Sequence, residues 1–515
     1  MIEPMLKPET TKVKQLVNDY RSGRVVIPEF QREYVWKPSK APFLIDSIYR
    51  GFPISSLLLW QSTEGVRARR KDPRPTRGAT MSWLIDGQQR VITLSRVMNG
   101  DEGIDIVFHP ENDEFRLSNA ATRNDRNWFR VAELLDDDQY RQLRRNLDGG
   151  READRREQRF EKLRQILEYE VPLVRMVNHS FDDAVLAFRR INTQGVKLRK
   201  HDIESAQVAA RHSGFIADEV APFLDDLKRQ GFTRLNVMHL FRACAFVATP
   251  DGRNRTPLHE LERSEVLEAW KRTQRATEQA ISLIRSELGL VNMEILWSGA
   301  LLVPLIALCA TTPPKNRDAR ELVGWLALAA LLHRYSGSSE TALDQDLRAC
   351  RNEDPIGALL GNLRQNRPLL SAGPNDFAGA LNDRSGLLAS YIACMNRGIL
   401  DFYTGGKVLL HNAIDRHHIL PRSQFAEKHR SAADIIANIA FISGDINKSI
   451  GQSGPEVYLK RIEQQVLKSQ CVPTDSSLWA IDRADDFWMA RRELLASSFN
   501  DFLKKSLPKR RLGSA

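Results

Sequence analysis

Cysteine is scarce: the chain of 515 residues has five, at positions 244, 309, 350, 394 and 471, and none forms a Cys-x-x-Cys pair. Neither a zinc ribbon nor a disulfide framework is supported, and a reducing compartment is expected. Long apolar runs are missing too. The most apolar helical stretch, Ile295 to Ala310, is interrupted by Ser298, Gly299 and Pro304 and is too short to span a bilayer. At the N-terminus, Met1-Ile2-Glu3-Pro4 shows no basic segment leading into an apolar one, so no signal peptide is expected. These absences predict a soluble, cytoplasmic protein with no membrane partner. No G-x-x-x-x-G-K-[ST] occurs, which excludes a Walker-type phosphate loop. No repeat of fixed period is visible, and no long span has a disordered composition.

Hydrophobic residues make up 42% and charged residues 27%, ordinary values for a globular protein, and the length allows two to four domains. Charge is the less ordinary property. With 75 Lys and Arg against 65 Asp and Glu, the net of +10 points toward a polyanion, because each phosphate neutralised releases counterions.

Two stretches carry chemistry. The first lies near the N-terminus. Pro28-Glu29-Phe30-Gln31-Arg32 forms a polar and aromatic loop, Lys40 to Gly51 has the spacing of an amphipathic helix, and Ile54 to Trp60 reads as a buried strand. A basic insert from Arg67 to Arg77 follows, read as a flexible charged loop. Met81 to Ile85 is a second strand that runs into Asp86-Gly87-Gln88-Gln89-Arg90, and Val91 to Met98 continues as a helix. Glycine at such a junction lets backbone approach a phosphate, the helix N-terminus offers N–H groups, and Arg90 can pair with phosphate oxygens. Asp86 could hold a cation or orient water. A plain Asp-Gly turn with solvent-facing Gln and Arg is the competing reading of these five residues.

The second stretch is Asp415-Arg416-His417-His418-Ile419-Leu420-Pro421, followed by Asn438 to Asn447. Two short apolar runs precede a helix from Val457 to Leu467, predicting strand, strand, helix. Phosphodiester hydrolysis needs a base for water and a cation for the phosphate, and imidazole suits the first task near neutral pH. His418 is the expected base. Alternation along a strand sends His417 and His418 to opposite sides, so the two are expected to differ in role.

Between these stretches, Arg123 to Arg164 is densely charged in both signs and reads as a solvated helical pair. From about Ser213 to Cys394 the pattern is helical throughout, and Asp485 to Leu503 is a further helix before a basic tail, Lys504-Lys505 and Lys509-Arg510-Arg511.

The His-His-Ile-x-Pro stretch resembles the HNH, or ββα-metal, endonuclease family. The resemblance implies a Mg²⁺ or Mn²⁺ ion, with His418 as base, Asn438 tying the hairpin, Asn447 as a ligand at the start of the helix, and either Asp415 or His417 as the other ligand. The first 210 residues, through Pro28-Glu29-Phe30-Gln31-Arg32, Asp86-Gly87-Gln88-Gln89-Arg90 and Phe188-Arg189-Arg190-Ile191-Asn192, resemble the ParB-like domain that heads GmrSD-type modification-dependent restriction enzymes. That resemblance implies a nucleotide site formed by Asp86, Gly87, Gln88, Gln89 and Arg90, with Gln31, Arg32, Arg189 and Asn192 near it and an NTP as substrate or effector.

The fold class expected is α+β and multidomain: a mixed α/β ParB-like domain (1–210), an all-helical connector (211–395), a small HNH domain (396–480), and a C-terminal helix with a basic tail (481–515). The function expected is metal-dependent cleavage of phage or modified DNA, coupled to NTP hydrolysis or DNA sensing, in a chain that can form homo-oligomers. Two rivals are a DNA- or nucleotide-binding module that does not cut, and a nuclease without NTPase activity.

Overall fold

Leu57, Leu58, Leu59 and Trp60 are four consecutive buried residues, the pattern of a strand covered on both faces. They form β3 (Leu57–Ser62), the middle of a five-stranded mixed sheet ordered β1-β8-β3-β4-β2, with β1 at Met5–Lys12, β2 at Val25–Val26, β4 at Met81–Asp86 and β8 at Glu170–Val177. β3 runs parallel to β8 and antiparallel to β4. β1 is an exposed edge paired antiparallel with β8, and its Lys7, Pro8 and Lys12 are residues that discourage further strand addition.

The computed structural model describes residues 3–31, 34–62, 67–69, 73, 81–146, 151–194, 200–250, 257–337, 339–402, 404–408, 414–443 and 454–512. Contacts divide the chain into two units, Met1–Pro222 and Phe223–Ala515. In the first, the Val13–Arg21, Ala41–Tyr49 and Gln88–Asn99 helices place Leu16, Leu44, Ile45, Val91 and Leu94 in one core. A second, antiparallel sheet of three strands, β6 (Glu114–Leu117), β5 (Ile106–His109) and β7 (Phe129–Arg130), joins that core through the Tyr49, Phe108 and Phe115 rings. The charged segment read as a helical pair contains β7 and the Val131–Leu135, Asp137–Arg145 and Arg151–Arg164 helices. β1, β5, β6 and β8 were not expected from the sequence pattern: β1 and β8 are paired with strands distant in the chain, whereas β5 and β6 form a short local hairpin.

In the second unit the described regular elements from Val237 to Asn396 are helices. Their ends follow local chemistry: Asn236, Asp318, Asp354 and Asp383 cap helix N-termini, and Gly289 closes the 26-residue Arg263–Leu288 helix in the left-handed conformation. The hairpin, the C-terminal helix and residues 223–395 of the expected connector fall in this unit, while residues 211–222 of that connector belong to the first. A hairpin of β9 (Ile414–His418) and β10 (Ile439–Ser443) packs with Tyr458, Leu459, Val466, Leu467, Phe487 and Trp488 in one core. The single helix expected from Val457 to Leu467 is broken into Pro455–Tyr458, a 3-10 turn at Leu459–Arg461, and Gln464–Ser469. No glycine or proline marks the break. It lets Tyr458 reach the β9 turn while Leu459, Val466 and Leu467 face the same core.

Candidate functional site

β4 ends at Asp86, and Gly87 turns the chain into the Gln88–Asn99 helix at φ 96°, a left-handed conformation that a side chain rarely adopts. The Leu57 side chain packs where a Cβ on Gly87 would sit, so glycine is required for space as well. No described side chain caps this helix N-terminus. It opens on a cleft of 770 Å³ lined by Gln31, Asp86, Gly87, Gln88, Gln89 and Arg90, with Trp36, Lys40 and Phe43 also lining it. Lys40 Nζ lies 5.6 Å from the Trp36 ring centroid, and Phe43 is 73% exposed, an aromatic surface that no core uses.

Each motif residue in the cleft has a definite engagement. Gln31 Nε2 donates to Ile85 O at 3.0 Å and to Leu84 O, fixing the PEFQR loop to β4. Gln89 Oε1 accepts from Val35 N at 2.9 Å and Trp36 N at 3.2 Å, so it holds the following loop. Gln88 Oε1 lies 3.5 Å from Arg69 Nη1. Arg90 donates through Nη1 to Ile54 O (2.5 Å) and Ser55 O (2.6 Å), and through Nη2 to Ser56 O (3.0 Å) and Asp86 Oδ2 (3.3 Å). Its guanidinium therefore clamps the 53–56 turn, in which Ser55 has φ 65°. Burial lowers the Arg90 pKa, and the Asp86 carboxylate opposes that shift.

Of the other residues implied by the N-terminal resemblance, Arg32 lies outside the described residues. The backbones of Arg189 and Asn192 belong to the Phe181–Gln194 helix, and their side chains lie outside the described ones. Phe188 of that helix lines the cleft and meets the Phe30 ring edge-on at 5.5 Å. Glu29, to which the sequence reading gave no role, is buried. It accepts from Gly214 N (2.8 Å) and Ala217 N (2.9 Å), at the start of the Phe215–Val220 turn of helix. Burial raises its carboxyl to about 7 against the pull of those two N–H donors.

In the second unit, β9 alternation separates the two histidines. His417, opposite Ala440 in register, is buried between the Phe402 and Tyr458 rings, whereas His418 is partly exposed at the strand end. Tyr458 O–H donates to Ile419 O at 2.6 Å, which leaves its oxygen to accept from His417 Nε2 at 3.3 Å. His418 Nε2 lies 2.9 Å from Asp434 Oδ1, and Arg422 Nη1 lies 3.4 Å from Asp434 Oδ2. Asn438 is fully buried and bridges the turn: it accepts from Leu420 N (2.9 Å) and donates to Leu420 O and Ala433 O (both 3.0 Å). Arg491, also fully buried, donates to Ala437 O, Ile439 O and Gln470 O and fixes β10 to the Ala484–Ser506 helix.

Asp434, Tyr458 and Arg491 have no expected role in the sequence reading. Nothing in their spacing from His418 distinguishes them from ordinary helix and turn residues. For a metal ion, the donors divide. With Nε2 at Tyr458, His417 would have to meet an ion through Nδ1. The Asp415 side chain lies outside the described ones, and Asn447 lies outside the described residues. Among the described residues, no three His, Cys, Asp or Glu side chains are placed to hold a metal.

Comparison with known proteins bears on the first unit and on the whole length differently. An uncharacterized protein of Methanocaldococcus jannaschii, MJ0686, is 22% identical over 538 aligned positions, covering 89% of this chain and 87% of that one. The family model of the GmrSD restriction endonuclease N-terminal domain matches residues 13–209, the span holding the β3–β4 sheet, the glycine junction and the cleft. Residues 13–209 of this chain are a GmrSD-type restriction endonuclease N-terminal domain.

Proposed function

We propose that this protein is a DNA endonuclease of a restriction or defence system, with the N-terminal unit sensing nucleotide or modified DNA and the β9–β10 hairpin carrying the cut. The observation that carries the proposal is the His418–Asp434 pair. A carboxylate accepting from Nε2–H leaves Nδ1 with the lone pair that can take a proton from water, and stabilises the imidazolium that results. Partial exposure of His418, with Arg422 beside Asp434, favours a site that an anionic backbone can reach. The N-terminal family match supports the same reading from a separate part of the chain.

A divalent cation, Mg²⁺ or Mn²⁺, belongs to this proposal, with Asp415, His417 and Asn447 as candidate ligands; when bound it would neutralise charge on the phosphate and the leaving oxygen. In the N-terminal cleft, the phosphates of a nucleotide would meet the helix N-terminus at Gln88 and Gln89, with Asp86 beside them for a cation or water. Lys40 adds positive charge, and Trp36 and Phe43 offer aromatic faces for a base. Arg90 and Gln89 hold the two loops that wall this cleft.

The test incubates purified protein with modified phage DNA and unmodified plasmid, with and without Mg²⁺ or Mn²⁺ and each NTP. His418→Ala is expected to reduce cleavage by about 10²- to 10⁴-fold, the range for losing a general base. Asp434→Asn is expected to reduce it less while preserving DNA binding. Cleavage by His418→Ala at the wild-type rate, with contaminating nuclease excluded, would overturn the assignment. DNA binding without any metal-dependent cut by the wild type would favour a binding module instead.

A further inference from the structure

A second cleft, of 790 Å³, lies in the Phe223–Ala515 unit, and every residue lining it is polar or charged. Arg397, Lys468, Lys504 and Lys505 face it against one carboxylate, Asp501. All four cations are exposed. Lys504 Nζ lies 3.2 Å from Asp501, and Lys505 Nζ donates to the neutral Asn396 amide oxygen at 2.9 Å. Among the described residues, no carboxylate pairs with Arg397, Lys468 or Lys505.

The walls of this cleft also hold the hairpin. Lys468 belongs to the Gln464–Ser469 helix, and the next residue, Gln470, accepts from Phe441 N (3.2 Å) and donates to Phe441 O (2.6 Å) on β10. Lys504 and Lys505 belong to the Ala484–Ser506 helix, whose Arg491 donates to Ala437 O and Ile439 O at the start of the same strand. Asn396, just before Arg397, donates to Ser498 O on that helix at 3.0 Å. The cations are thus mounted on the elements that fix β10 beside His418.

We propose that this cleft binds the phosphate backbone of duplex DNA alongside the hairpin, with Arg397, Lys468, Lys504 and Lys505 as phosphate contacts. Four cations against one carboxylate favour a polyanion of high linear charge density over an acidic peptide, whose charges are fewer and interrupted. A backbone of regularly spaced phosphates needs only clustered cations, and the contacts that Lys504 and Lys505 make are exposed ones that a phosphate can replace, because counterion release supplies the affinity. The inference rests on DNA being the partner, as proposed above.

The experiment measures binding of the full chain to a fluorescein-labelled 30-base-pair duplex in EDTA, so that binding is read without cleavage, across 50 to 200 mM salt. Arg397→Gln/Lys468→Gln and Lys504→Gln/Lys505→Gln are compared with wild type and with Lys315→Gln/Arg320→Gln, two exposed cations outside the cleft. Each cleft pair is expected to make the slope of log K against log salt shallower by about 2, the value for two lost phosphate contacts, while the outside pair leaves it unchanged. Thermal melts equal to wild type establish that the variants fold. Unchanged slopes in the cleft pairs, or an equal change in the outside pair, would overturn the proposal. A wild-type protein that cuts DNA while the cleft slopes stay fixed refutes the cleft alone. One that binds with cleft-dependent slopes and never cuts refutes the nuclease reading alone, and absence of any DNA binding refutes both.

Discussion

Glu29 makes the stability of the N-terminal unit depend on pH in a direction opposite to that of most carboxylates. It is 5% exposed, and both its oxygens accept backbone N–H groups, from Gly214 and Ala217. Burial still raises its pKa from 4.5 to about 7; Asp218 adds to the rise and Arg67 opposes it. Below pH 4.5 both folded and unfolded chains hold the proton and the group makes no difference. Between 4.5 and 7 the folded chain keeps a proton that the unfolded chain has released, so stability falls as pH rises and the loss is complete above about pH 7. A shift from 4.5 to about 7 corresponds to roughly 3 kcal/mol in total, at about 1.4 kcal/mol per unit. Of this, linkage places about 1.3 kcal/mol between pH 6 and pH 8. For a unit of this size that is a change in Tm of about 3 °C. The assay is the difference in Tm between pH 6 and pH 8, compared for wild type and Glu29→Gln. The amide cannot titrate, so the wild type should lose about 3 °C more than the variant over that interval. Any constant cost of turning an amide N–H toward Gly214 or Ala217 cancels in the comparison. Equal losses in the two proteins would refute the reasoning.

Other positions give predictions of comparable directness. Asn438→Ala leaves Leu420 N, Leu420 O and Ala433 O without their partner in a buried turn, and is expected to destabilise the hairpin unit by about 3 kcal/mol in urea unfolding; a loss below about 1 kcal/mol would show that the turn holds without it. Arg90→Lys replaces a planar fork that grips three successive carbonyls with a point charge, and should cost about 2 kcal/mol and speed proteolysis within residues 53–56. Wild-type stability and protease resistance in that variant would show that the turn does not depend on the clamp.

What the sequence by itself determined is local. The passage from a short apolar run through Gly87 into 3.6-residue spacing encodes strand, left-handed turn and helix in consecutive dihedral preferences, and Met81–Asp86 and Gln88–Asn99 follow it closely. Period-two alternation likewise separates His417 from His418 without any knowledge of their surroundings. The side chains that these residues meet were decided only by the tertiary structure. Asp434 reaches His418 through a succession of short 3-10 turns, Arg491 reaches Ala437 across 54 positions, and Glu29 reaches Gly214 across 185. The break near Ile462 within an unbroken apolar pattern has the same origin. Leu459–Glu463 consists largely of good helix formers, but propensity is a small term per residue, and burying Tyr458, Leu459, Val466 and Leu467 against one hairpin outweighs it. Local preferences are summed over neighbours in the chain, whereas partners are chosen by packing that sums over the whole core. The glycine junction was therefore legible from its sequence, while the orientation of His418 and the clamp made by Arg90 became visible only in the folded chain.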